Sequence, residues 1–397
     1  MLRYILAAVL LMSPAAQADT VHPIGATIAN NGLAAALAEL EGQTDPDALF
    51  LQGSLSFLRG IEMTMQMRWQ NGGSMGATDI PILRLPVGDN PNGGPFYPAL
   101  VREIFDTAAV EMARSRSFLD QIPADADFGV TINITEIWFD VNGDGSPQLA
   151  EYMPNVASMA LDRRMNETVQ PVLIRFDRAD AYWLSAYTHV LSGLAEMVAA
   201  LDPTAAITQV IEARAAMLAL GPNPENLGAM MMGSGFDDWV DDFSMVYQAM
   251  RQQPDPEHTR AAHAHFLAMI ADNRAFWAAL ALESDNEAEW IPNKVQTSGL
   301  GLLVPPETGQ AWLAVLADLE AMLMGKKLVP YWRLNETAGL NIYTMLMDPP
   351  AVDIVGWVQG FALLAYMERG PLIDSASWSA FDRMVQGEGL MFAVFLN

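Results

Sequence analysis

The amino-acid sequence predicts a mainly α-helical protein, and three observations carry that prediction. Apolar residues recur at three- and four-residue spacing along most of the chain. Capping residues and helix stops bracket those stretches. Alternation with a period of two, the mark of a half-buried strand, is confined to one short segment. About a dozen helices and one or two strands are expected, packed as a multi-helical bundle or helical hairpin array, with an α/α toroid as the alternative.

Taken in order, residues 26–40 are rich in Ala and Leu, with Leu33, Leu37 and Leu40 spaced to share a face. Asp45-Pro46-Asp47 supplies an N-cap and a first-turn proline for a helix that runs to about Gln70, where Asn71-Gly72-Gly73 stops it. A Pro/Gly/Asn connector at 88–95 leads into a helix at about 97–119. In 128–139, Val130, Ile132 and Ile134 alternate with polar residues, which predicts a short strand running directly into an acidic loop. Further helices are expected at about 180–201, 203–220, 237–252, 256–282, 307–324, 352–368 and 375–386.

Residues 221–235 hold two prolines and four glycines and form the best internal boundary. The expected organisation is a signal peptide at 1–18, an N-terminal helical region at 19–220 and a C-terminal one at 236–397. The two regions are left open to being one continuous domain. The leader is read from Arg3, the apolar run 4–12, Ser13-Pro14 and the small-x-small site Ala16-Gln17-Ala18, with cleavage before Asp19. An uncleaved anchor is the alternative, but the run falls short of the roughly 20 residues a bilayer requires. The most apolar later stretch, 352–367, is interrupted by Asp353 and Gln359. A periplasmic or secreted product with no transmembrane segment in the mature chain is expected.

At 51% hydrophobic and 17% charged, the composition is that of a packed globule. There are no cysteines, which removes disulfides, thiol catalysis and thiolate metal sites. A formal charge of −26, from 47 acids against 21 bases, repels nucleic acid and anionic lipid and draws cations.

Residues 140–151 meet the pattern D-x-[DN]-x-[DN]-G-x5-E in full. Asp140, Asn142 and Asp144 occupy its first three ligand positions, Gly145 the bend, and Glu151 the closing position. A hard cation such as Ca2+ takes several oxygens at about 2.3–2.6 Å, which alternate loop positions can deliver. Ser146 is expected to offer its backbone carbonyl, and Gln148 to reach the ion directly or through water. The alternative is an Asx-rich turn without an ion. Position 8 is Pro147, which has no N–H to bond a sister loop, and no second loop of this pattern occurs in the chain.

Over these twelve residues the chain resembles the isolated, EF-hand-type calcium loops of exported proteins. The resemblance implies a structural rather than a switching ion. The remainder resembles exported bacterial proteins in a general way, and its residues carry no named family.

Other patterns carry less. Met63, Met65 and Met67, the methionines 230–232, and His263 with His265 suggest copper handling, but Met65 points away from Met63 and Met67 on a helix, so core filling is the better expectation. Residues 72–76 match G-x-S-x-G without the strand a nucleophile elbow needs. Asp237, Asp238, Asp241 and Asp242 read as the solvated first turns of an amphipathic helix whose other face is Phe236, Trp239, Val240 and Phe243. Asp177, Asp180 and His189, with Trp183 and Tyr187, lie on or just before one helix, where His189 follows Ser185 by one turn, and a buried histidine bonded to a neighbour is the simpler expectation. Trp290, Trp332 and Trp357 suit sugar stacking or, more simply, helix junctions.

The expected function is that of an exported calcium-binding protein with a binding or scaffolding role. The alternative is a secreted carbohydrate-active hydrolase or lyase on a helical toroid. No catalytic constellation is legible, which leans away from an enzyme. The calcium ion is the one partner that the residues specify, and a protein or saccharide partner is left open.

Overall fold

A computed structural model of the chain describes residues 21–71, 82–160, 170–221, 236–284, 286, 288–301 and 303–396. The expected leader at 1–18, the glycine-rich turn at 72–76, methionines 230–232 and nearly all of the 221–235 boundary lie outside the described residues.

The protein is mainly α: thirteen α-helices and five short strands are present among the described residues. The first helices are α1 (Ile24–Glu39), α2 (Pro46–Gln70) and α3 (Leu100–Leu119). β1 (Val130–Asn133), α4 (Met153–Ala160) and β2 (Leu173–Phe176) follow. Next come α5 (Arg178–Leu201), α6 (Thr204–Leu220), α7 (Phe236–Met250) and α8 (Pro256–Leu280). The C-terminal part adds α9 (Thr308–Leu323), α10 (Ile342–Met347), α11 (Ile354–Gln359), α12 (Ala376–Met384) and α13 (Gly389–Leu396).

Local sequence explains how the long helices start. The Asp45 side chain accepts from the Ala48 N–H at 3.1 Å, and Pro46 sits in the first turn, where its missing donor costs nothing. At α5, Asp177 and Asp180 form a reciprocal capping box. Asp255 and Pro256 repeat the first device at α8.

Among the described residues the principal helices pack in the order α1–α2–α3–α5–α8, with α9 and α10 against α8, which is consistent with the expected helical bundle. α5 is the spine. Its Ala181 and Leu184 join one apolar cluster, Ala179 and Ala186 a second, and Leu191 and Ala195 a third. Each large apolar side chain so buried contributes about 1.5–3 kcal/mol. α5 is also the one described helix long and apolar enough to cross a membrane, and 56% of that apolar window is buried inside the protein.

Two predicted elements differ. The strand does not run straight into the acidic loop: β1 ends at Asn133, whose side chain accepts from the Thr135 N–H and Oγ1 and turns Ile134–Glu136 into a 3-10 turn. β1 instead pairs antiparallel with β2, Val130 opposite Phe176. The long helix expected at 352–368 is also broken. α11 stops at Gly360, in the left-handed region with φ 108°, and a 3-10 turn, Phe361–Tyr366, follows. The chain then enters β5 (Met367–Arg369), which completes an antiparallel sheet with β3 (Val329–Pro330) and β4 (Ala338–Leu340).

On the apolar face of α7, three described side chains, Trp239, Val240 and Phe243, are exposed. Trp239 is 60% exposed and Phe243 53%, and their rings stack. Of the four predicted acids on this helix, Asp241 pairs with Arg214 of α6 at 2.9 Å.

Candidate metal centre

The acidic loop hangs from a rigid stem. Trp138, 1% exposed, lies against the backbone of α1 where Gly32 adopts φ 81°, and a Cβ there would stand 3.2 Å from the indole ring. The same indole donates from Nε1 to the Ile28 carbonyl at 2.9 Å. On the two sides of the loop, Trp138 and Tyr152 form an antiparallel bridge, the Phe139 N–H donates to the Glu151 carbonyl, and the Met153 N–H donates to the Ile137 carbonyl. The ends of the loop are therefore fixed by backbone pairing, and the ligand positions between them inherit that order.

Within the loop, the six predicted residues are brought together. Asp140 Oδ2 accepts from the Gly145 N–H at 3.1 Å, which folds the loop back on its first residue. Asn142 Oδ1 accepts from the Asp144 N–H, and Asp144 Oδ1 from the Ser146 N–H, at 2.9 and 2.8 Å. Gln148 Nε2 reaches Asp144 Oδ2 at 3.5 Å. Gly143 and Gly145 take φ 72° and 70°, a left-handed bend that side chains disfavour.

Glu151 closes the loop. It is 6% exposed, and its Oε1 accepts from the Val141 N–H while Oε2 accepts from the Gln148 N–H, at 3.0 and 2.9 Å. Burial raises its pKa against the pull of those amides. Each carboxylate oxygen has a second lone pair, so these bonds leave room for a cation.

The remaining carboxylate oxygen of the first position, Asp140 Oδ1, is buried and has no hydrogen-bond partner. Such an atom carries a desolvation cost of about 1–3 kcal/mol or more unless something compensates it. A hard cation is what this donor set compensates best: carboxylate and amide oxygens, with no imidazole and no sulfur.

The helix α2 supports the loop from outside. Gln66 Nε2 donates to the Asp140 carbonyl at 2.6 Å and stands 3.4 Å from Glu62 Oε1. Glu62 is 2% exposed and pairs with Arg59 at 2.8 Å. Burial lifts its pKa to about 7, with the Arg59 charge opposing and the Asp140 charge adding to the rise. Neither Glu62 nor Gln66 carries a local sequence signal linking it to the loop.

No protein-family model matches this chain. Neither a curated protein nor a solved structure is found to be similar to it.

A second acidic group lies on the other side of β2. Asp177, Glu283 and Glu289 bring one carboxylate oxygen each to within 4.8 Å of one another, and Asp180 adjoins them. Arg175 stands 3.5 Å from Asp177. Burial and its three acidic neighbours raise the Asp180 pKa well above the usual range. The rings of Trp183 and Trp290 meet edge to face and Phe176 packs beside Trp290, which places Trp290 at a junction. The sequence pointed to Asp177 and Asp180, but Glu283 and Glu289 reach them only through the tertiary fold.

Along the α5–α8 interface runs a polar ladder. Ser185 Oγ donates to Asp272 at 2.6 Å, the His189 and His265 Nδ1 atoms are 2.8 Å apart, and Glu196 meets His258 at 2.6 Å. Arg116 of α3 donates to Thr188 and Ser192 beside it. His263 Nε2 donates to the Leu323 carbonyl at 2.9 Å, so the two histidines of the expected copper pattern face different partners. Met65 is buried in the core at 1% exposure, as filler would be.

Proposed function

We propose that this chain is an exported calcium-binding protein in which the ion pins the junction between the Trp138–Tyr152 stem and α4, with a binding or scaffolding role. The observation that carries the reading is the buried, unbonded Asp140 Oδ1 inside a loop already folded around it. The amide bonds to Asp140 Oδ2 and Glu151 orient both carboxylates before any ion arrives, which lowers the ordering cost of binding. Asp140, Asn142, Asp144 and Glu151 supply side-chain oxygens, Ser146 its carbonyl, and Gln148 a direct or water-mediated contact. Calcium binds here without reacting, so the site implies no chemical step.

Thermal melting tests this. Calcium at about 100 times its Kd stabilises the folded state by about 2.7 kcal/mol, which raises Tm by several degrees. Glu151→Gln removes that shift. Identical wild-type melting curves with calcium and with chelator reject the reading. Export is tested separately by the mass of the product from a Gram-negative host, expected to begin at Asp19.

The carbohydrate-active alternative gains little support. The acidic group at Asp177, Asp180 and Glu289 has aromatic neighbours, but these three carboxylates are only 3–8% exposed, whereas a saccharide needs an open cleft.

A further inference from the structure

The carboxylate of Glu62 shares the feature that singles out Asp140. Its Oε2 is buried without a hydrogen-bond partner, in a residue only 2% exposed, while Oε1 takes Arg59 and Gln66. Gln66, one turn along α2, spans the two residues, with its Nε2 3.4 Å from Glu62 Oε1 and 2.6 Å from the Asp140 carbonyl, so Glu62 sits next to the first residue of the loop. Two carboxylates, each with one unbonded buried oxygen, therefore meet at this junction with Arg59 as the cation paired to Glu62. Buried like charges are costly unless a positive charge compensates them.

We infer that Glu62 belongs to the cation site, as a positioning carboxylate behind Asp140 that brings the formal negative charge around the ion from three to four. This rests on the loop reading above. Asp140, Asp144 and Glu151 supply three carboxylates, the complement expected of a weak extracellular site with Kd around 10⁻⁴–10⁻³ M. Charge count is one of the terms that tune such loops, so a fourth carboxylate moves the affinity toward tighter binding. Arg59 opposes it: the same guanidinium that steadies Glu62 without calcium lowers the net charge the ion meets.

The test is calcium titration calorimetry at pH 8 on the full chain and two variants, with melting curves in calcium and in chelator. Glu62→Gln is expected to weaken calcium binding about tenfold, while its Tm in chelator equals or exceeds that of the wild type, because a buried like charge has been removed. Arg59→Gln is expected to lower Tm in chelator, because Glu62 loses the cation paired to it. A purely structural role for Glu62 instead lowers Tm equally in both conditions and leaves the affinity alone, which overturns the inference. Equal calcium affinity in all three proteins also overturns it while leaving the loop reading intact. If the wild type binds no calcium, both fall together.

Discussion

The Nδ1 atoms of His189 on α5 and His265 on α8 lie 2.8 Å apart, so one imidazole donates to the other and the pair cannot both be protonated without losing that bond. The groups facing the pair are Arg116 from α3, Asp272 and Ser185 on one side, and Glu196 with His258 on the other. Burial, followed by the charges of Arg116 and His265, lowers the His189 pKa to about 3, and burial lowers that of His265.

Stability should therefore fall in acid. The unfolded chain takes up the His189 proton as pH drops through about 6.5, whereas the folded protein resists until about 3, so the contribution is intact above 6.5 and declines across that window. For one such group the slope approaches about 1.4 kcal/mol per pH unit, and partial exposure of the ring reduces it to about 1 or less. Urea unfolding in chelator at pH 7 and pH 4.5 should show the wild type losing about 1–2 kcal/mol more than His189→Gln. Equal losses would assign the acid sensitivity to other groups.

What the sequence made legible was local. The start of α2 was readable because Asp45 and Pro46 act within one turn, and the acidic loop stood out as a candidate because its six proposed ligands fall within twelve residues. The contacts that support the loop were not readable. Gln66 and Asp140 are 74 positions apart, and only the packing of α2 against the stem joins them. His189 and His265 are 76 apart and meet through the antiparallel register of α5 and α8. The break at Gly360 was visible as a glycine, yet the surrounding apolar run favoured helix, and the pairing of β5 with β4 decided otherwise.

Gly145→Ala tests the shape of the acidic loop. Nothing lies within 4 Å of a Cβ built at this position, so no clash occurs and only the left-handed backbone resists, at φ 70°. That strain costs about 1–2 kcal/mol. Because the loop already holds this bend, with the Gly145 N–H on Asp140 Oδ2, the cost should fall on the fold itself and lower Tm by several degrees in chelator and in calcium alike. An unchanged Tm in chelator would mean that the ion-free loop relaxes out of the bend.

Asp180→Asn should stabilise the protein. The amide keeps an oxygen for the Asp177 N–H, which the carboxylate now accepts at 3.0 Å, while the charge among Asp177, Glu283 and Glu289 is removed. A carboxyl whose pKa is raised on folding loses stability as pH climbs above its unfolded value, so the gain should be small near pH 4 and about 1–3 kcal/mol at pH 8. Denaturant midpoints at the two pH values give the comparison. A variant less stable than the wild type at pH 8 would show that the ionised carboxylate is needed there.

Gly193 on α5 allows the close approach of α8. A Cβ at this position would sit 2.6 Å from Cε1 of Phe266, well inside contact distance. Alanine gains about 1 kcal/mol of helix propensity over glycine, but the overlap costs about 1–3 kcal/mol, so Gly193→Ala should be neutral to destabilising by about 2 kcal/mol. In a Phe266→Ala background the obstruction is gone, and the same change should stabilise by about 0.5–1 kcal/mol. The interaction between the two substitutions, read from four urea curves, should therefore be about 0.5–3 kcal/mol. Additive effects would mean that α8 shifts freely away from α5, and the histidine pair seated one turn along the same interface would then be too loosely held to resist protonation.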